Sequence, residues 1–107
     1  LDALDDNAAT LRARAAGAPV ALRVATKSVR VPHLLRRVLQ GPGMRGLMTF
    51  SAAETAFLYE QGFDDFLLAY PVGQSSEATL LAELVAKGAT LWVTVDNDAH
   101  VAITAGP

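Results

Sequence analysis

Apolar residues recur along the chain at two spacings, one typical of helices and the other of buried strands. Steps of three and four residues predict a first helix over about residues 1 to 16, with these apolar positions on one face: Leu1, Leu4, Ala8, Leu11 and Ala15. The same spacing predicts a second helix that begins near Pro32 and ends before Gly41. Ser51 and Ser76 are the predicted N-caps of a third and a fourth helix.

Four short apolar runs alternate with these helices, and each is bounded by turn residues: Val20–Thr26, Gly46–Phe50, Phe66–Tyr70 and Leu91–Val95. Each run is too short for a typical globular helix, so we predict four strands. The first strand is expected to end near Lys27. After the last strand, Asp96, Asn97 and Asp98 predict the cap of a fifth helix.

The order of the predicted elements determines how the strands pair. Each pair of consecutive strands is separated by enough residues for one helix and two short loops, which is the connection that parallel strands need. The strands are nearly continuous in apolar residues, as expected when both faces of a parallel sheet are covered. We therefore predict an α/β fold of about four parallel strands. Two architectures fit this pattern: part of a (β/α)8 TIM barrel, or a doubly wound open sheet.

Composition excludes several classes of protein. With 107 residues the chain forms one small domain, and 51% hydrophobic with 19% charged residues excludes disorder. A net charge of −2 gives no general attraction to nucleic acid or to anionic lipid, and no run approaches the roughly 18 apolar residues of a membrane span. The absence of cysteine excludes disulfides, thiolate catalysis and cysteine-based zinc sites. We expect no nucleic-acid and no membrane partner.

The two ends of the chain lead to a further expectation. The chain begins at Leu1 without an initiator methionine and stops at Pro107, shortly after the fifth helix begins. We therefore interpret residues 1–107 as a fragment of a longer chain. The acidic start does not fit a positively charged signal peptide, so we expect a cytoplasmic protein.

Lys27 is the residue that most suggests chemistry. It stands at the carboxyl end of the first strand, where both candidate architectures build their sites. Strand alternation places it with Arg23 and Ala25 on the face opposite the aliphatic Leu22 and Val24. Two cations on such a face require a ligand or an acidic partner. On spacing alone, the alternative that Lys27 merely begins a solvated loop stays open.

Four segments together resemble the amino-terminal part of the alanine-racemase-like barrel of fold-type III pyridoxal-phosphate enzymes: Leu1–Asn7, Leu22–Pro32, Gly46–Glu54 and Asp64–Pro71. The nearest branch contains D-threonine aldolase, D-serine dehydratase and amino acid deaminase/aldolase relatives. In that family the lysine at the end of the first barrel strand forms a Schiff base with the cofactor, and Lys27 matches it. The aldolases typically carry histidines just before and after this lysine. Ala25 and Val29 stand there in this chain, which favours the deaminase/aldolase relatives.

The resemblance implies a function for the full-length protein. Residues 1–107 would be the amino-terminal half of a barrel domain that binds pyridoxal 5'-phosphate, in a lyase of aldolase or deaminase type or a racemase-like enzyme. Its substrate would be a small molecule, an amino acid, and Lys27 would be both catalytic and cofactor-binding. The ligands of any divalent metal would lie beyond residue 107. Two alternatives are a barrel that binds the cofactor without turnover and a cofactor-free parallel α/β domain.

Further residues are predicted by position to contact the cofactor. Thr49 and Tyr70 end the second and third strands, although ordinary strand-end packing explains both equally well. Arg23 is a third candidate, since it shares a face with Lys27. For Asp96, at the end of the fourth strand, we favour a role in the helix cap. The open strand edges and apolar composition also predict a homo-oligomer.

The two histidines and the tryptophan are not predicted to take part in the site. His33 and His100 have no acidic or histidine partner at ligand spacing in the sequence, so no metal site is predicted in this chain. Trp92 is predicted to lie in the core of the fourth strand.

Overall fold

A parallel sheet of four strands forms the centre of the computed structural model, which describes residues 2–105. The strands are β1 Leu22–Ala25, β2 Met44–Thr49, β3 Asp65–Leu68 and β4 Thr90–Val93. They are all parallel, and they lie side by side in chain order, β1-β2-β3-β4. A doubly wound sheet reverses its strand order at a switch point, and these four strands show no reversal. The predicted α/β fold is confirmed, and its architecture is that of a partial (β/α)8 barrel.

Five α-helices accompany the sheet: α1 Asp2–Ala15, α2 Pro32–Leu39, α3 Ala52–Glu60, α4 Ser75–Ala86 and α5 Asp98–Ala105. Leu1, the first apolar position of the predicted helix, and the Gly106–Pro107 end lie outside the described residues. Ser51 caps α3 as predicted, since its Oγ accepts a hydrogen bond from the Glu54 N–H at 3.0 Å. The prediction for α4 is wrong by two positions, because its N-cap is Gln74. Within residues 2–105, no helix is long and apolar enough to span a membrane.

All four strands end earlier than the apolar runs in the sequence predicted. β1 stops at Ala25, and Thr26–Ser28 forms a 3₁₀ turn in which the Val29 N–H donates to the Thr26 carbonyl at 3.1 Å. Lys27 therefore lies in this turn, where strand alternation does not set the direction of its side chain. Tyr70 likewise lies two residues beyond the end of β3, and Asp96 three residues beyond the end of β4.

The hydrophobic core lies between one face of the sheet and helices α2, α3 and α4. Leu47 and Phe66, which are register partners on neighbouring strands, are fully buried there. Burial of a side chain of this size contributes about 1.5–3 kcal/mol. The helices supply these buried side chains: Leu35, Leu58, Leu81 and Leu84. Val24 packs against the same core, as its predicted orientation toward the helices requires.

The opposite face of the sheet carries a second apolar layer that no helix within residues 2–105 covers. Its members are linked by register from strand to strand: Ala25, Met48, Leu67 and Trp92. Trp92 is 62% exposed, so the prediction that it belongs to the core is wrong. The reason is its position in β4, which turns it away from the helices.

An ion pair on the surface links α1 to α2. The Arg37 guanidinium donates two hydrogen bonds to the Asp5 carboxylate, Nε to Oδ1 at 2.8 Å and Nη2 to Oδ2 at 2.7 Å. This bidentate contact with Arg37 lowers the pKa of Asp5 below its ordinary value, and the same contact raises the pKa of Arg37. The pair joins two segments that are 32 residues apart in the chain.

Replacement of Asp5 by asparagine should destabilise the fold slightly at neutral pH. A carboxyl group whose pKa is lowered on folding stabilises the fold above its unfolded-state pKa, and this contribution is lost as the pH falls through the folded-state value. The difference in thermal midpoint between Asp5→Asn and the parent should therefore vanish on acidification. Asp6→Asn is the control, since the Asp6 side chain forms no ion pair within the described part of the chain. If the difference in thermal midpoint between Asp5→Asn and the parent does not depend on pH, the Asp5–Arg37 ion pair does not stabilise the fold as described.

Candidate functional site

Three side chains from separate segments meet at the carboxyl edge of the sheet. The Lys27 Nζ lies 5.3 Å from the centroid of the Phe50 ring, which is within cation–π range. The Phe50 and Tyr70 rings contact edge to face, with centroids 5.6 Å apart and planes at 62°. Lys27 is exposed and Tyr70 is 61% exposed, so a ligand in solution can reach both. We call Lys27, Phe50 and Tyr70 the rim cluster.

The rim cluster forms because parallel strands end at the same edge. Lys27 follows β1, Phe50 follows β2 and Tyr70 follows β3, and neighbouring strands lie about 4.8 Å apart. Side chains that extend past these ends therefore come within contact distance. Sequence reasoning placed Lys27 and Tyr70 at this edge but missed Phe50. A signal for Phe50 was present, since it directly follows the last residue of β2.

Glu54, near the start of α3, connects two of the loops at this edge. Its Oε2 accepts a hydrogen bond from the Thr26 hydroxyl at 2.9 Å, and its Oε1 accepts one from the Phe50 N–H at 2.8 Å. Thr26 is only 1% exposed, and the Met48 carbonyl lies 3.3 Å from its hydroxyl as a second acceptor. Ser51 and Glu54 have the spacing of a capping box, in which the Glu54 side chain would return to the N–H of Ser51. The structure shows its bond one residue earlier, at Phe50.

Thr49 faces the helices and not the open side of this edge. It is fully buried, and its hydroxyl lies 2.6 Å from the Thr55 hydroxyl, which in turn donates to the Ser51 carbonyl at 2.8 Å. These contacts are the strand-end packing that the position of Thr49 in the sequence allowed as an alternative to a cofactor contact. Its position in β2 two residues after Leu47 explains this orientation, since both side chains lie on the helix-facing side.

Arg23 lies on the face opposite the helices, as predicted, but toward the amino end of the sheet. Its Nη2 is 2.7 Å from the Asp65 Oδ1, and its Nη1 donates to the Leu47 carbonyl at 3.4 Å. Arg45 Nε is 3.6 Å from the other Asp65 oxygen. Asp65 thus supplies the acidic partner that a cation on this face requires. Because this ion pair accounts for the charge of Arg23, we leave Arg23 out of the proposed cofactor contacts.

The Arg23–Asp65 pair spans the intervening strand at Gly46. A Cβ atom on Gly46 would lie 3.0 Å from the Arg23 Nη1 and 2.4 Å from the Asp65 backbone oxygen. The Gly46 φ of +144° is also a conformation that other residues rarely adopt. Glycine at this position therefore permits both the backbone path and the close approach of the arginine.

Asp96, beyond β4, pairs with a histidine. Its Oδ1 lies 2.7 Å from the His100 Nδ1, and the Asn97 Nδ2 donates to the same oxygen at 3.2 Å. Asn97 itself caps α5, since its Oδ1 accepts a hydrogen bond from the His100 N–H at 2.9 Å. The expectation that His100 lacks an acidic partner is wrong. Among residues 2–105, no three metal-ligating side chains of the His, Cys, Asp or Glu type come together.

Four parallel strands in chain order, with an exposed lysine beyond the first, define part of a (β/α)8 barrel that has its candidate site at the carboxyl edge. The structure is similar to the crystal structure of D-threonine aldolase from Filomicrobium marinum, with a TM-score of 0.88 and 26% sequence identity. The similarity covers 97% of this chain and 28% of that chain. It confirms the resemblance to the D-threonine aldolase branch. The sequence matches no protein-family model and no curated protein.

Replacement of Gly46 by alanine should destabilise the fold strongly. Backbone strain at a positive φ costs about 1–3 kcal/mol, and contact of the new Cβ with the Asp65 backbone adds to it. Urea denaturation of Gly46→Ala and Gly17→Ala tests this, because no atom lies within 4 Å of a Cβ on Gly17. The Gly17 variant should stay within about 1 kcal/mol of the parent. Equal stability of the two variants would show that the path of β2 at Gly46 is not as described.

Proposed function

We propose that this chain is part of a pyridoxal-phosphate-dependent enzyme acting on amino acids, and that Lys27 binds the cofactor covalently. One observation carries the proposal: an exposed lysine extends beyond β1 at the carboxyl edge of a barrel sheet that is similar to D-threonine aldolase over 97% of this chain. The similarity spans only 28% of that solved chain, so the activity of the whole protein is part of the proposal.

The rim cluster fits a flat cofactor that carries an aldehyde. Lys27 supplies a primary amine, and the Phe50 and Tyr70 rings provide apolar surface beside it. The chain has one other lysine, Lys87, which follows α4 and precedes β4. Lys87 therefore lies near the amino edge of the sheet, whereas Lys27 lies at the carboxyl edge, which supports Lys27 as the cofactor lysine.

Lys27 has to act first as a nucleophile. Its Nζ would hold the cofactor: once the ammonium has given one proton to solvent, the amine would replace the aldehyde oxygen, which would leave as water with the two remaining amine protons. The bound cofactor supplies an electron sink when a bond to Cα of an amino acid is broken. Phe50 holds the Nζ beside the ring face before attack, which restricts the directions the long side chain samples.

The reaction we favour is that of a lyase of aldolase or deaminase type. Support comes from the named activity of the similar structure and from the sequence resemblance to deaminase/aldolase relatives. Thr49 is enclosed and Arg23 is paired with Asp65, so the phosphate of the cofactor would be held by residues outside this chain. An amino acid substrate and homo-oligomeric assembly complete the proposal.

Replacement of Lys27 by alanine should abolish covalent cofactor attachment. Pyridoxal phosphate is added to the parent chain and to each variant, the adduct is reduced with borohydride, and labelled peptides are identified by mass spectrometry. The label should be on Lys27 in the parent and in Lys87→Ala, and should be lost in Lys27→Ala. In a full-length enzyme, Lys27→Ala should lower turnover by about 10⁴-fold or more. Preferential labelling of Lys87 would overturn the assignment.

The 107-residue chain alone should be catalytically inert toward D-threonine and D-serine. Four strands leave two open sheet edges, at β1 and β4, and later barrel strands would be needed to enclose a cofactor. Product formation is measured with cofactor present, using a buffer sample with free pyridoxal phosphate as the control. Turnover above that control would show that the described residues suffice for catalysis.

A further inference from the structure

We propose that Glu54 is a positioning residue for Lys27. Its carboxylate accepts one hydrogen bond from Thr26 and one from the backbone N–H of Phe50. These two bonds position the Lys27 Nζ over the Phe50 ring. The inference rests on the proposed function of Lys27, and it assigns to the same site a residue that does not itself reach the rim.

The geometry supports such a role because each carboxylate oxygen serves a different loop. Oε2 accepts a hydrogen bond at 2.9 Å from the hydroxyl of Thr26, the residue that directly precedes Lys27. Oε1 accepts a hydrogen bond at 2.8 Å from the backbone N–H of Phe50, the residue whose ring contacts the Lys27 ammonium. The two partners of the cation–π contact are thus each held, within one residue, by the same side chain.

The amino-terminal end of α3 does not need the Glu54 side chain as a cap. Ser51 already supplies the cap by accepting the Glu54 N–H at 3.0 Å. The Glu54 carboxylate instead reaches out of the helix to the turn after β1 and to the residue after β2, across 28 residues of sequence in the case of Thr26. Its contacts therefore fix one loop relative to another.

A carboxylate suits this position because both of its neighbours are donors. An ionised carboxylate offers acceptors only, whereas the amide of glutamine presents an N–H₂ group to one of the two donors. Thr26 is almost completely buried, so its hydroxyl would then depend on the Met48 carbonyl at 3.3 Å. Glu54→Gln should loosen the turn that carries Lys27 while keeping the size and shape of the side chain.

The position of Lys27 over an aromatic ring has a direct signature in the cofactor-free chain. Protons above a ring face shift upfield in NMR, so the ε-methylene signal of Lys27 should lie upfield of that of Lys87. In Thr26→Val and in Glu54→Gln, the Lys27 signal should move toward the Lys87 position. Thr79→Val is the matched control, since the Thr79 hydroxyl bonds only within α4, to the Ser75 carbonyl at 3.0 Å. It should leave the signal unchanged.

A second measurement separates this inference from the proposed function. The rate of borohydride-trapped labelling of Lys27 by pyridoxal phosphate should fall by about tenfold or more in Thr26→Val and Glu54→Gln. Unchanged NMR signals with unchanged labelling would overturn the role of Glu54 and leave the function of Lys27 intact. Signals that move while Lys27 is not labelled even in the parent would overturn the function alone. Loss of the folded spectrum in both variants would show a role in the fold and would overturn positioning.

Discussion

Parallel backbone pairing of four strands in chain order is the constraint on which the rest of this structure depends. The register gives each face of the sheet its own set of side chains, so that Leu47 and Phe66 meet the helices while Met48 and Leu67 face away. The same pairing brings every carboxyl end to one edge. Lys27, Phe50 and Tyr70 come from three segments of the chain, and Lys27 and Tyr70 both contact Phe50 because their strands end together.

The face without helices has the layered character of a barrel interior. One layer is polar, where Arg23 reaches across Gly46 to Asp65, and the next is apolar and ends in the exposed Trp92. Inward-pointing side chains fill the interior of a (β/α)8 barrel in such layers. Within residues 2–105 the four-stranded sheet leaves this surface uncovered, which explains why the large aromatic side chain of Trp92, in the edge strand β4, is exposed. The ion pair with Asp65 likewise compensates the positive charge of Arg23 on this face.

Local patterns predicted much of the fold and part of the site. Periodicity, turn residues and the Ser51 cap gave the element order and the parallel sheet, and the position of Lys27 after the first strand indicated the edge that matters. Contacts between distant segments could not be predicted this way. Nothing local links Thr26 to Glu54 or Arg23 to Asp65, because these bonds exist only once strands and loops are placed side by side. Thr49 is a different case, because its alternation with Leu47 along the strand already indicates that its side chain faces the helices.

The central claim is that the carboxyl edge of the sheet, and not another surface, receives an aldehyde cofactor through Lys27. Titration of the isotope-labelled chain with pyridoxal phosphate, followed by amide NMR, tests this most directly. Our account predicts that the largest shifts occur at Lys27, Phe50 and Tyr70. Shifts concentrated at Lys87, or in the groove that Arg36, Phe63 and Asp64 line at the opposite edge, would contradict it.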